Sequence, residues 1–270
     1  DVAYDLRDAR DAIGWDDVAI AYMSVGELDA HIETITIRHT NWVRYHILRH
    51  LLNPTNESFR DKIRGTLEIK RLANADGNAY PAVIGSDTDL TGHTHYIGTA
   101  YNAGAISAIN NPVPVVKEHL AEHFDDGTPV LLINPAQEAA FRGMAGFVAR
   151  SPEYTKPGDD TATVNGGQFD VVPGTFQGAI NDVAIYSWRR MPAGYAFGWD
   201  IDMPAPLKER VDEDVAASLR GFKLVSEQTD FPLTKSQWRD RRGYGVANRL
   251  NGVVLNFSGT GSFVTPPAFA

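Results

Sequence analysis

Between Val25 and Leu52 the apolar residues return every third or fourth position, at Leu28, Ile32, Ile35, Trp42, Val43, Ile47 and Leu51, with His39 in the same series. That spacing places them on one face of a helix. Pro54, which cannot continue a helix, follows and ends it. The periodicity predicts a helical region over residues 1–58.

Downstream the period changes. Arg64–Leu72 alternates, with Leu67 and Ile69 against Glu68 and Lys70. A polar run containing Asp76-Gly77 comes next, then a second alternating stretch at Tyr80–Ile84. Strand, Asp-Gly turn and strand predict a hairpin. Both its faces are polar, so it has little core of its own, and a two-stranded hairpin is marginal alone in water. It is expected to lie on something else, such as another chain. Val113–Phe124 reads as a helix with Pro114 near its start, Thr128–Asn134 as a buried strand, and Ala136–Gly143 as a short helix opened by Pro135. Residues 151–178, rich in Pro, Gly, Asp and Thr, predict an extended surface loop. Strands are predicted at Asn181–Trp188 and Ala196–Trp199 around the turn Met191–Tyr195. A charged segment at 202–220 and a strand-like tail from Lys223 complete the chain. Strands and helices mix without a βαβ rhythm, which predicts the α+β class.

Composition narrows the function classes. The chain has 270 residues, 25 basic against 34 acidic, for a net charge of −9. An acidic balance argues against a protein that coats nucleic acid by neutralising phosphates. With no cysteine, disulfides and thiolate metal sites are excluded. The longest apolar runs, such as Val130–Ile133, are strand-length, so no membrane partner is expected. No signal peptide is visible, and the chain begins at Asp1 rather than Met.

Several short patterns carry candidate chemistry. His119-Leu120-Ala121-Glu122-His123 matches H-x-x-E-H, with two histidines one helical turn apart. A zincin needs a third ligand, and nothing in the sequence marks one. Asp87-Thr88-Asp89 mimics the nucleophile loop of a phosphatase but follows a hairpin rather than the first strand of a parallel sheet. His93/His95 and His46/His50 are further two-histidine pairs without companions. Phosphate-binding glycine loops and nucleophile elbows are missing. Four arginines, Arg239, Arg241, Arg242 and Arg249, stand with one acid, Asp240, in Trp238–Leu255. Arginine bridges carboxylates well, and Asp202 and the Glu209–Asp214 segment supply them, so a protein interface fits this cluster better than phosphate does. One of Arg241, Arg242 and Arg249 is therefore expected to pair with a carboxylate of its own or a neighbouring chain.

Taken in order, LANADGNAYP (72–81), HTHYI (93–97), KEHLAEHFDDGTPVLLI (117–133), MPAGY (191–195), SLRGFKLVSEQTDFPL (218–233) and RRGYGVANRLNGVV (241–254) resemble the major capsid proteins of tailed bacteriophages, with the Hong Kong 97 type of fold. The resemblance covers about residues 59–267. It implies an N-terminal arm at 1–58, an extended β-hairpin loop at 59–95, a peripheral domain at 96–127 and 230–270 with residues 113–124 as its spine helix, and an axial domain at 128–229. It implies no catalytic, cofactor-binding or metal residues and no cofactor. It also implies self-assembly into pentamers and hexamers of an icosahedral shell, in a virion assembled in the host cytoplasm. Portal, scaffold and decoration proteins are the implied further partners, with packaged DNA contacted weakly. Many relatives lose a leading segment to a maturation protease, which makes Asp1 a candidate processed terminus. Some form Lys–Asn cross-links, for which Lys62 and Lys70 with Asn248, Asn251 and Asn256 are the candidates. Two alternatives stay open: an encapsulin-like compartment shell, and a zinc hydrolase using His119, Glu122 and His123.

Overall fold

The structure, a computed structural model, describes residues 4–61, 63–73, 94–99, 111–123, 127–149, 172–212, 220–257 and 261–270. The chain divides into two compact units. One comprises Asp1–His50, Asn56–Lys70 and Leu207–Val246; the other comprises Leu51–Thr55, Arg71–Pro206 and Ala247–Ala270. Among the described residues no helix is long and apolar enough to cross a membrane.

The first unit is built on a four-stranded antiparallel sheet. Its axis is β12 (Leu233–Val246), paired along one side with β1 (Arg7–Asp16) and along the other with β10 (Leu207–Val211) and β11 (Lys223–Asp230). The expectation that residues 1–58 are helical throughout fails at β1. Its burial alternates strictly, with Arg7, Ala9, Asp11, Ile13 and Trp15 on the more buried face. Two of those five are charged, which hides the period-two pattern from a hydrophobicity reading. Asp16 ends the strand and caps α1 (Asp17–Tyr22), accepting from the Ala19 amide at 2.6 Å.

The long helix α2 (Val25–Leu52) forms as its periodicity predicts. Ser24 and Glu27 make a reciprocal capping box at its start, the Ser24 amide donating to Glu27 Oε2 at 2.7 Å and the Glu27 amide to Ser24 Oγ at 3.3 Å. Its first three turns are exposed, and Ile35 is the first buried position. The helix covers the face of β12 that carries Trp238, Asp240, Arg242 and Tyr244, since His39, Trp42 and His46 all touch residues of that face.

The expected hairpin has a different partner. β3 (Gly65–Ile69) pairs with the upstream strand β2 (Glu57–Asp61). The turn is closed by Asp61, whose carboxylate accepts from the Ile63 and Arg64 amides at 2.8 Å each, and Gly65 takes φ +79°. The Arg64 and Ile63 amides hold the Asp61 carboxyl below its ordinary range. β2 carries one large apolar residue, Phe59, so its strand pattern is weak in the sequence. The Asp76-Gly77 turn and the Tyr80–Ile84 strand lie outside the described residues.

The second unit holds a seven-stranded mixed sheet in the order β4 (Tyr96–Gly98), β13 (Val253–Asn256), β9 (Tyr195–Asp200), β5 (Pro129–Ile133), β8 (Val183–Ser187), β7 (Thr175–Ile180), β6 (Phe147–Ala149). β4–β13 and β5–β8 are parallel; the remaining pairs are antiparallel. Every position of β5 and β8 is buried, as continuous apolar runs require of central strands. β7 and β8 meet at Asn181-Asp182, both with positive φ (49° and 69°), the turn chemistry of a tight hairpin. Residues 175–178, expected in a surface loop, are part of β7; residues 150–171 lie outside the described residues.

Helices α3 (Val113–Ala121) and α4 (Glu138–Arg142) pack on this sheet around Val116, Leu120, Leu131, Phe141, Ile185 and Val253. Gly198 makes the close approach of α3 possible: a Cβ there would lie 2.5 Å from Val116 Cγ1. The expected boundary between peripheral and axial domains at residues 127 and 128 therefore falls inside one hydrogen-bonded sheet. Strand β13, placed in the peripheral domain by the resemblance, pairs directly with β9 of the expected axial domain, and β4 pairs with β13.

Candidate functional site

In the first unit the arginines of β12 are sorted by strand alternation onto two faces. On the face under α2, Asp240 has a side chain with no exposure at all, held between His39 Nε2 at 2.7 Å and Arg242 Nε at 2.5 Å. Arg242 also reaches Glu209 of β10 at 2.8 Å. Burial works against the Arg242 charge, but the carboxylates of Asp240 and Glu209 outweigh it and hold the guanidinium above its ordinary value. Two residues on, Tyr244 lies parallel to the His46 ring, with 6.3 Å between centroids. Burial, reinforced by the charges of Glu209 and Asp240, pushes its phenol up to about 12. Phe222 stacks on His39 at 4.1 Å and on Trp238 at 5.6 Å, extending the aromatic layer.

On the opposite face Arg239 reaches Asp8 of β1 at 3.1 Å, and Arg241 reaches the buried Asp212 at 2.8 Å and Asp8 at 3.5 Å. Burial tends to raise the Asp8 carboxyl, but Arg10 and Arg239 outweigh it and hold the group below its usual range. The register sets Arg7 directly across from Arg242. That like-charged pair is relieved by separate carboxylates: Glu57 takes Arg7 at 2.7 Å, while Asp240 and Glu209 take Arg242. The expected carboxylate pairing is found for Arg241 and Arg242 within the chain, using Glu209 and Asp212 of the predicted acidic segment. In the second unit, Arg249 donates from Nε to the Arg71 carbonyl at 3.1 Å. Asp202 accepts from the Thr128 hydroxyl at 2.6 Å.

The exposed apolar surface of the first unit gathers elsewhere. Val18, Tyr22, Val25 and Phe231 are 66%, 87%, 76% and 88% exposed. The Asp17 amide donates to the Pro232 carbonyl at 2.9 Å, so the β11–β12 turn sits at the start of α1. Beside them Ile13, Trp15, Ile20, Val25, Leu28 and Leu224 line a groove of about 540 Å³.

The second unit gathers three histidines. His95 precedes β4, while His119 and His123 lie at the end of α3; one ring nitrogen from each falls within 4.8 Å of the others. Among the described residues this is the one group of three or more His, Asp or Glu side chains close enough to share a metal ion. His46 and His50 make no such group: His50 Nδ1 engages the His46 carbonyl at 2.6 Å. Asp87, Asp89, His93 and Lys62 lie outside the described residues.

No family model matches the sequence, and no curated protein matches it. Solved structures do match. A chain of Mycobacterium phage Patience superposes with a TM-score of 0.76 at 18% identity, covering 99% of this chain and 73% of that one. The mature capsid of bacteriophage PhiM1 matches at 0.53 and 12% identity, over 95% of this chain and 72% of that one. The capsid of an empty GTA particle matches at 0.50 and 12% identity, over 94% and 72%. The chain has the Hong Kong 97-type capsid fold.

Within this capsid fold the cross-linking candidates are engaged locally. Lys70 pairs with Glu68 at 2.8 Å. Asn251 is fully buried and brackets Asp200, accepting from its amide and donating to its carbonyl at 2.8 Å each. Asn256 is also buried, and its Oδ1 accepts from the Val264 amide at 3.1 Å. Asn248 donates to the Pro204 carbonyl at 3.0 Å. The histidine trio of the capsid fold was half visible beforehand: H-x-x-E-H marks His119 and His123, but His95, 24 residues upstream of His119, carries no spacing signal.

Proposed function

We propose that this chain is the major capsid subunit of a tailed phage, a structural protein rather than an enzyme, which assembles with copies of itself into an icosahedral shell. The fold supports this reading, and the observation that carries it to function is the apolar end of the first unit. A monomer in water has no use for Tyr22, Val25 and Phe231 standing more than 75% exposed beside an open apolar groove. We assign the groove to a neighbouring copy of the chain. Repeated contacts of that kind close into rings.

The part names of the fold are assigned anew in this proposal. The 28 residues of α2 span about 42 Å, and α2 packs on the four-stranded sheet. That unit suits the peripheral domain, with α2 as the spine. The nine-residue α3 is a core helix of the seven-stranded unit, which suits the axial domain. The β2–β3 hairpin falls mostly within the stretch proposed as the extended loop. Portal, scaffold and decoration proteins are proposed as further partners. The net charge of −9 suits a wall that contains DNA without gripping it.

The groove gives the test. Val25→Asp places a carboxylate in it, in the first turn of α2, where an acid is compatible with the helix. The variant is expected to keep the circular dichroism and melting temperature of the parent's unassembled subunit while sedimenting only as small species. Shells of normal size from this variant would remove the groove from the interface.

A further inference from the structure

We propose that His95, His119 and His123 form a divalent transition-metal site, with Zn²⁺ as the cation that fits best. The proposal concerns the seven-stranded unit alone and does not depend on the shell reading.

Three imidazoles converge. His119 Nε2 lies 3.3 Å from His95 Nδ1. The ring centroids are 5.0 Å apart for His95–His119, 5.4 Å for His95–His123 and 5.6 Å for His119–His123. Nitrogen ligands at about 2.0–2.1 Å on a tetrahedron stand roughly 3.3 Å apart, so His95 and His119 already stand at that spacing and the third ring lies within 4.8 Å of both. The rings are also placed for it. His119 lies in the last turn of α3, and His123, four residues on, lies in the turn that follows it, its amide donating to the Leu120 carbonyl at 3.1 Å. His95 is brought to them by the strand it introduces: β4 runs parallel to β13, and the Val254 amide donates to the His95 carbonyl at 2.9 Å.

The donor set selects the ion. Imidazole suits zinc and its neighbours in the first transition row, whereas calcium and magnesium take oxygen. His95 Nδ1, the nitrogen that faces His119, also lies 3.1 Å from the Gly252 carbonyl, and coordination through Nδ1 would exchange that contact for the ion. Three protein ligands leave the fourth tetrahedral position to water or an added carboxylate. His95 is fully buried and His119 is 8% exposed, so a bound ion would fasten the edge strand β4 to α3 from inside the unit. Glu122, the acid of the H-x-x-E-H pattern, is not among the three ligands.

The test uses the full chain. Protein stripped with EDTA is dialysed against zinc and then against metal-free buffer, and bound metal is measured by mass spectrometry. About one zinc per chain is expected, with a higher melting temperature than the stripped protein. His123 is the least buried of the three, so His123→Ala is the informative variant; it should lose the retained zinc and the thermal shift. His31→Ala, at an exposed histidine of the other unit, should keep both. Cobalt(II) substitution supplies a second readout: visible bands of a tetrahedral nitrogen site, present in the parent and lost in His123→Ala. Folded parent protein that retains no zinc overturns the proposal. So does zinc retained equally by His123→Ala and His119→Ala.

Discussion

Replacing Arg242 by Met keeps an unbranched apolar stem and removes the charge from beside Asp240. The Asp240 side chain has no solvent exposure and is held by two groups, Arg242 at 2.5 Å and His39 at 2.7 Å. Removing one partner of a fully buried ion pair costs about 3–5 kcal/mol, because the other charge stays behind unsolvated. Arg242 keeps 26% of its side chain exposed and His39 remains, so the low end applies, about 3 kcal/mol. For a chain of this size each kcal/mol moves the melting temperature by about 2–4 °C, giving a fall of roughly 6–12 °C. Calorimetry or circular dichroism on the unassembled subunit measures it. The double variant Asp240→Leu, Arg242→Met removes both charges and should recover a large part of the loss, since apolar replacement of a whole buried pair is commonly near neutral. An Arg242→Met subunit melting within about 2 °C of the parent would refute the reasoning, because a carboxylate sealed from water cannot lose its cation at no cost. The same geometry means that charge reversal at Arg241 and Arg242 acts first on folding. Arg241 ties β1 to the segment after β10, and Arg242 ties β10 to the middle of the sheet.

Tyr244 gives a pH dependence of definite sign. Its phenol is raised to about 12 in the folded chain, against about 10 when unfolded. Its contribution is therefore complete below pH 10 and is lost as pH rises through 12, because the unfolded chain releases the proton first. The loss is roughly 3 kcal/mol, and Tyr244→Phe should flatten that part of the stability–pH curve; an unchanged alkaline slope would contradict the burial assigned to the phenol. Gly198→Val should cost about 1–3 kcal/mol by overpacking, because its Cβ would stand 2.5 Å from Val116 Cγ1 on α3. Denaturant unfolding checks this, and a stability equal to the parent's would show that α3 can shift at no cost.

Much of this architecture is written in the sequence where one pattern governs one element. Helix α2 follows from a sustained spacing of three and four, and strands β5, β8 and β9 follow from short apolar runs between turn residues. Legibility fails where buried positions are polar. In β1 the face turned toward the core carries Arg7 and Asp11, satisfied by Glu57 and Arg38 from elsewhere in the unit, and no local pattern announces those partners. The β2–β3 turn rests on Asp61 accepting two amides, a feature of the folded loop that an Asp-Gly search passes over. The chemistry divides the same way. Acids near residue 209 were readable as partners for the arginines by charge alone. The third histidine was not readable, because His95 meets His119 only through the pairing of β4 with β13.

In the proposed function, copies of this chain close into a shell. Negative-stain electron microscopy of the purified chain, expressed alone, tests it most directly. Closed, uniform, angular particles with five- and six-fold capsomers are expected. A folded chain that stays monomeric at high concentration would contradict it.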